Sequence, residues 1–178
     1  MFKNKDNVID SIALGAGCFW CVEAIFEMIK GVKSTSIGYG GGETPDPTYL
    51  SVSASPDGHA ELTVLQFDNS ITTLDAILSV FFAMHNPEKS FVINDKKGEL
   101  YRSVILYKNE AQKVQIEKFV TKYQNQTCRV VKTEILPLRN FKEADIKYQN
   151  YYSSNPNKPF CKNVIGPKIE KLRANGIL

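Results

Sequence analysis

With 178 residues the chain fits one hydrophobic core and leaves no room for a second full domain. Its 43% apolar and 23% charged content is that of a soluble globular protein, and no stretch approaches the ~18 uninterrupted apolar residues of a membrane helix. A formal charge of +3 is too small to argue for a nucleic-acid partner, and the local cluster Lys158, Lys162, Lys168, Lys171 and Arg173 reads as solvated surface.

Residues 1–7 are polar and lack the apolar core of a secretory leader, which predicts a cytoplasmic protein. Residues 11–17 read as a short buried strand running into a glycine turn. From 20 to 30, Val22, Ile25, Phe26 and Ile29 recur at helical spacing, and Gly31 supplies a stop. A strand is expected at 32–38, followed by a loop at 39–49 dense in glycine and proline. Leu62, Val64 and Phe67 suggest a strand at 61–67, and Leu74, Ile77, Leu78, Phe81 and Phe82 mark an amphipathic helix ending near His85. After a strand at 104–107, Asn109 caps a helix carrying Ile116, Phe119, Val120 and Tyr123 on one side. A strand at 130–136 and a short helix at 143–152 complete the pattern, and the interleaving implies one α+β or α/β unit.

Four cysteines in a reducing compartment are structural thiols, metal ligands or redox centres before they are permanent crosslinks. Cys18 sits between a strand end and the first turn of a helix. Free amides and the positive helix end favour thiolate over thiol there, so its pKa is expected to fall and its nucleophilicity to rise. A buried cysteine is otherwise a small apolar residue, but the glycines before Cys18 and the aromatics Phe19 and Trp20 after it are unlike ordinary core. Cys18 and Cys21 form a Cys-x-x-Cys pair, either a dithiol redox centre or half of a zinc site. Zinc is the weaker reading, because Cys128 and Cys161 are isolated and His59 and His85 lack ligand spacing. Cys128, at a helix-to-strand junction, is expected to pack in the interior.

Gly-Cys-Phe-Trp at 17–20, Gly-Tyr-Gly-Gly-Gly at 38–42, Pro-Thr-Tyr at 47–49, Gly-His-Ala-Glu at 58–61 and Tyr-Arg-Ser at 101–103 occur in an informative order. In that order and spacing they resemble the A-type peptide methionine sulfoxide reductases from residue 11 onward. The Cys-Phe-Trp-Cys run marks a subgroup of that family. The resemblance implies a single α+β domain over 1–178: a mixed sheet packed with helices, a ferredoxin-like core with extensions, its first ~10 residues and its segment 153–178 peripheral. It implies thiol-dependent reduction of the S epimer of methionine sulfoxide, free or in proteins. Cys18 would attack the sulfur and Glu61 would protonate the departing oxygen. Tyr49 and Tyr101 would hydrogen-bond that oxygen, while Phe19 and Trp20 hold the substrate methyl. A carboxyl kept neutral by an apolar site is a sensible acid for so poor a leaving group. Taken alone, Glu61 reads as a solvated charge and the tyrosines as packing residues.

Oxygen transfer would leave Cys18 a sulfenic acid, which condenses with a thiol to a disulfide reducible by thioredoxin. Cys21 is expected to resolve first, with Cys161, in a mobile-looking segment, as a possible relay. No bound cofactor or metal is implied, and no nucleic-acid or membrane partner; the protein is expected to be a monomer. The pattern breaks at Lys96, which stands where the family usually has an active-site aspartate; Asp95, one residue earlier, is the substrate-binding candidate. Glu-Leu-Tyr at 99–101 and Lys-Tyr-Gln at 147–149 also depart from the family's usual residues. Two other readings stand beside the reductase: a general Cys-x-x-Cys dithiol oxidoreductase, and a non-catalytic protein that binds methionine sulfoxide or a partner protein.

Overall fold

The computed structural model describes residues 8–89 and 96–178. Strand β1 (Ile9–Ala16) lies between β3 (Ala60–Asp68) and β4 (Ser103–Tyr107), antiparallel to both. Because both sheet faces are covered there, Ile12 and Leu14 on one face and Ala13 on the other are all buried. Strand β2 (Val32–Gly40) pairs with β3, β5 (Glu134–Pro137) runs parallel to β4, and β6 (Lys142–Glu143) closes the far edge on β2. The order β5-β4-β1-β3-β2-β6 makes a mixed sheet.

The helices are α1 (Phe19–Phe26), α2 (Tyr49–Ala54), α3 (Leu74–Met84), α4 (Lys96–Leu100), α5 (Glu110–Thr127), α6 (Tyr151–Ser154) and α7 (Gly166–Ala174). The run β1-α1-β2-β3-α3-β4, with spatial order β4-β1-β3-β2, is the ferredoxin-like arrangement expected, here extended at both sheet edges. Apolar faces of α1, α3, α5 and α7 cover the sheet face that carries Ile12, Leu14, Leu65 and Phe67. Thr73 and Asn109 cap α3 and α5 through Ala76 and Gln112, each cap contributing about 1 kcal/mol.

Several expectations need correction. Helix α1 ends at Phe26; Met28 and Ile29 continue in tighter turns, bonding the carbonyls of Ile25 and Phe26, before Gly31 at φ 101°. Of the expected strand at 130–136 only 134–136 pairs, the pairing running on through Pro137, and Val130 is exposed. In place of one helix at 143–152 the chain makes β6, a 3-10 turn (Ile146–Tyr148) and α6, because Asn150 adopts φ 51° and breaks any continuous helix. Cys128 is exposed: it ends α5 in a left-handed conformation that turns the chain out to solvent. Segment 153–178 is not peripheral, since Cys161, Ile165, Ile169 and Leu172 are each at most 4% exposed within the main core. Cys161 opens a π-helical turn (Cys161–Ile165) packed there, so this segment is part of the hydrophobic interior and not a loose tail.

Candidate active site

Gly17, at φ 90°, carries the chain from β1 into α1 through a conformation that L side chains avoid. Cys18 becomes the N-cap residue of α1, and its carbonyl accepts the Cys21 amide at 3.0 Å. The Phe19 amide is taken by Glu61, which accepts it on Oε2 at 2.9 Å. Glu61 comes from β3, on the same face as Thr63 and Leu65, and the β2–β3 register sets Tyr39 directly opposite it. The structure therefore brings Cys18, Phe19, Trp20, Tyr49, Glu61 and Tyr101 to one recess of about 230 Å³.

Phe19 and Trp20 form an apolar wall that is itself buttressed. Trp20 stacks on Tyr151 at 3.9 Å between ring centroids and donates from Nε1 to the Tyr148 carbonyl at 3.0 Å. Beneath it, buried Glu23 accepts the amides of Asn150 and Tyr151 at 3.0 and 3.3 Å, tying α1 to the chain 127 residues later. Arg102 holds the opposite side: it pairs with Glu134 at 2.9 Å and donates to the carbonyls of Gly58 and Glu99, so the stretch before Glu61 and the turn bearing Tyr101 are fastened together. His59 supports the glycine loop, accepting the Gly42 amide on Nδ1 at 3.3 Å.

Glu61 is 5% exposed. Burial pushes its pKa up to about 7, against the Phe19 amide, with the neighbouring Cys21 charge adding to the rise and the Tyr101 hydroxyl lowering it. A protonated carboxyl near neutral pH is thus available in the recess. The thiols behave differently from the expectation. Cys18 donates its proton to Cys21, which together with burial holds Cys18 well above an ordinary thiol. The same hydrogen bond draws Cys21 down to about 7 against its own burial, helped by Lys168, whose Nζ lies 3.6 Å from Sγ. The lowered value falls on Cys21 because the first-turn amides are spent elsewhere: Phe19 on Glu61, Cys21 and Val22 on the Cys18 carbonyl. Only the Trp20 amide favours a Cys18 anion. The two thiols titrate as one coupled unit.

Cys161 does not line the recess. It is fully buried near enough to Cys21 for their charges to interact, and burial pushes its thiol up. Asp95 lies outside the described residues. Sequence reasoning missed Tyr39, Tyr148, Glu23 and Lys168. Tyr39 was open to discovery, since it stands two residues from Ile37 on the inward face of β2; the other three reach the site only through contacts across the fold.

A family model described as peptide methionine sulfoxide reductase matches residues 10–177. The chain belongs to that family. The peptide methionine sulfoxide reductase MsrA of Sulfolobus acidocaldarius is 41% identical over 162 residues, covering 91% of this chain and 92% of that relative. Among solved structures, the methionine sulfoxide reductase A of Corynebacterium diphtheriae is 28% identical, with TM-score 0.71 over 86% of this chain and 78% of that one. Reduced Mxr1 of Saccharomyces cerevisiae shares the fold at TM-score 0.76 and 24% identity over 89% of this chain and 92% of that one. Mxr1 has also been solved in complex with Trx2, where it matches 84% of this chain and 89% of that one at TM-score 0.57 and 20% identity. This member of the reductase family is an oxidoreductase acting on methionine sulfoxide with thiols as electron source. Among its described residues no helix is long and apolar enough to cross a membrane.

Proposed function

We propose that Cys18 reduces the S epimer of methionine sulfoxide, with Glu61 as the acid and Cys21 as the resolving thiol. The observation that carries this reading is the Cys18 thiol and the raised-pKa Glu61 carboxyl sharing one small recess. Phe19 and Trp20 take the substrate methyl, while Tyr49 and Tyr101 donate to the sulfoxide oxygen. The Cys18 proton passes along its hydrogen bond to the Cys21 thiolate, and the Cys18 thiolate then attacks sulfur. The attack joins the two sulfurs while Glu61 protonates the oxygen; as that hydroxyl moves to Cys18, the S–O bond and the new S–S bond both break, leaving methionine and a sulfenic acid. Cys21 loses its proton again and attacks that sulfenic sulfur. A disulfide forms, and hydroxide leaves as water after protonation.

Thioredoxin, the partner class of the yeast relative, reduces the disulfide by thiol exchange, with buried Cys161 as the relay when the C-terminal turn opens. The cycle runs on thiols and a carboxyl and requires no bound cofactor. It suits a cytoplasmic monomer, since every group named comes from one chain and the reductant from a reducing compartment. A groove of about 480 Å³ beside the recess, sharing Tyr39, Tyr49 and Tyr148, leaves room for polypeptide as well as free amino acid.

Separated sulfoxide epimers with dithiothreitol test the reading. Turnover of the S epimer alone, abolished by Cys18→Ser, is expected. Unimpaired turnover by that variant would overturn the assignment; tight binding without turnover would select a binding-only homologue; and insulin-disulfide reduction without sulfoxide turnover would select a general dithiol oxidoreductase.

A further inference from the structure

Tyr39 has no part in the cycle above, yet its side chain is the most unusual polar group of the recess. It is 2% exposed, and its Oη is the one buried side-chain nitrogen or oxygen among the described residues that lacks a hydrogen-bond partner within the protein. An unpaired buried hydroxyl destabilises a fold, and phenylalanine would fill the same space without that cost. Packing therefore accounts for the ring, which lies 5.6 Å from that of Phe19, and leaves the hydroxyl unexplained.

Its position suggests what satisfies it. The β2–β3 register pairs Tyr39 with Glu61, so both side chains leave the same face of the sheet as cross-strand neighbours. Both line the recess, together with Cys18, Tyr49 and Tyr101. Burial, then the adjoining Glu61 charge, push its ionisation far above that of an ordinary phenol, so the group is available only as a neutral hydroxyl. A sulfoxide oxygen carries negative charge and several lone pairs. It accepts more than one donor, and its charge grows as sulfur is attacked, which is when a donor already held in place contributes most.

We propose that Tyr39 Oη donates a hydrogen bond to the substrate's sulfoxide oxygen, as a third phenol beside Tyr49 and Tyr101. It is a catalytic residue whose hydroxyl finds no partner among the described residues and is paired by the substrate's oxygen. This role rests on the reductase reading and adds a third contact to the oxygen, the atom that sets sulfoxide apart from thioether.

Tyr39→Phe tests it through opposite movements of stability and activity. The variant is expected to melt no lower than the wild type, while its kcat/KM for the S-sulfoxide with dithiothreitol falls by about tenfold to hundredfold. Placed in a Cys18→Ser background, it should weaken binding of N-acetylmethionine sulfoxide but leave binding of the thioether N-acetylmethionine unchanged. Wild-type activity in the variant, an equal loss of sulfoxide and thioether binding, or a melting temperature that falls in step with activity would each overturn the proposal and make Tyr39 a packing residue. Wild-type protein that turns over no sulfoxide would instead overturn the reductase reading, and this proposal with it.

Discussion

At Glu61 one side chain combines three constraints: burial that raises its pKa to about 7, a backbone amide that orients one oxygen, and a phenol from Tyr101 on the carboxyl. Burial is the largest of them, so the carboxyl serves as a proton donor below about pH 7 and loses that capacity above it. The Cys18–Cys21 pair runs the other way, because it must have released a proton, and Cys21 holds its own until about pH 7. These limits predict a narrow bell for kcat/KM, with Cys21 setting the acid limb and Glu61 the alkaline one. Glu61→Gln should lower kcat/KM by about 10²–10⁴-fold and remove the alkaline limb. Steady-state rates across the range would check this, and a variant that kept the wild-type descending limb would assign that limb to another group.

The elements matter here for what they deliver to one another. Helix α7 follows a π-helical turn whose Ile165 and Cys161 are fully buried, and that anchorage places Lys168 over α1, with Nζ 3.6 Å from the Cys21 sulfur. Four other titratable groups bear on this contact: Cys18 at the N-cap of α1, Glu61 from β3, Cys161 from the π turn, and His85 after α3, which feels the Lys168 charge. Lys168→Met keeps the stem's length and apolar contacts but removes the cation. It should raise the Cys21 pKa by about one unit. At neutral pH, disulfide formation in a single turnover without reductant should then slow by roughly fivefold, and the deficit should close in alkaline solution. Thiolate absorbance and trapping of the Cys18 sulfenic acid would follow the two effects, and Lys168→Arg should restore most of the rate.

Across the whole molecule, the contact between Glu23 and the amides of Asn150 and Tyr151 links local burial to global stability. Burial pushes Glu23 up to about 7, above its value of 4.5 in the unfolded chain, so folding favours its protonated form. The associated stabilisation is complete below the unfolded value and is lost as pH rises through the folded one. Wild type should therefore lose stability relative to Glu23→Gln between about pH 5 and about pH 8, a difference from which the opposing titration of His85 cancels. Thermal denaturation of both proteins at the two pH values measures it, and parallel curves would remove Glu23 as the responsible group. Much of this architecture was legible in the chain. Period-two and period-3.6 patterns located β1, β3, α3 and α5, because each element buries a face that its own residues define, and the run at 17–20 marked the thiol. The C-terminal third was misread: residues 143–152 carry a helical composition, yet Asn150 turns left-handed where Glu23 and Trp20 capture the backbone. By itself the sequence determined which segments alternate and where the Cys18–Cys21 pair stands between strand and helix, since those properties are local. The partner of each thiol, the protonation of Glu61, the unpaired hydroxyl of Tyr39 and the place of the C-terminal helix were decided only in three dimensions. Burial, charge and hydrogen bonding there depend on groups far apart in the chain.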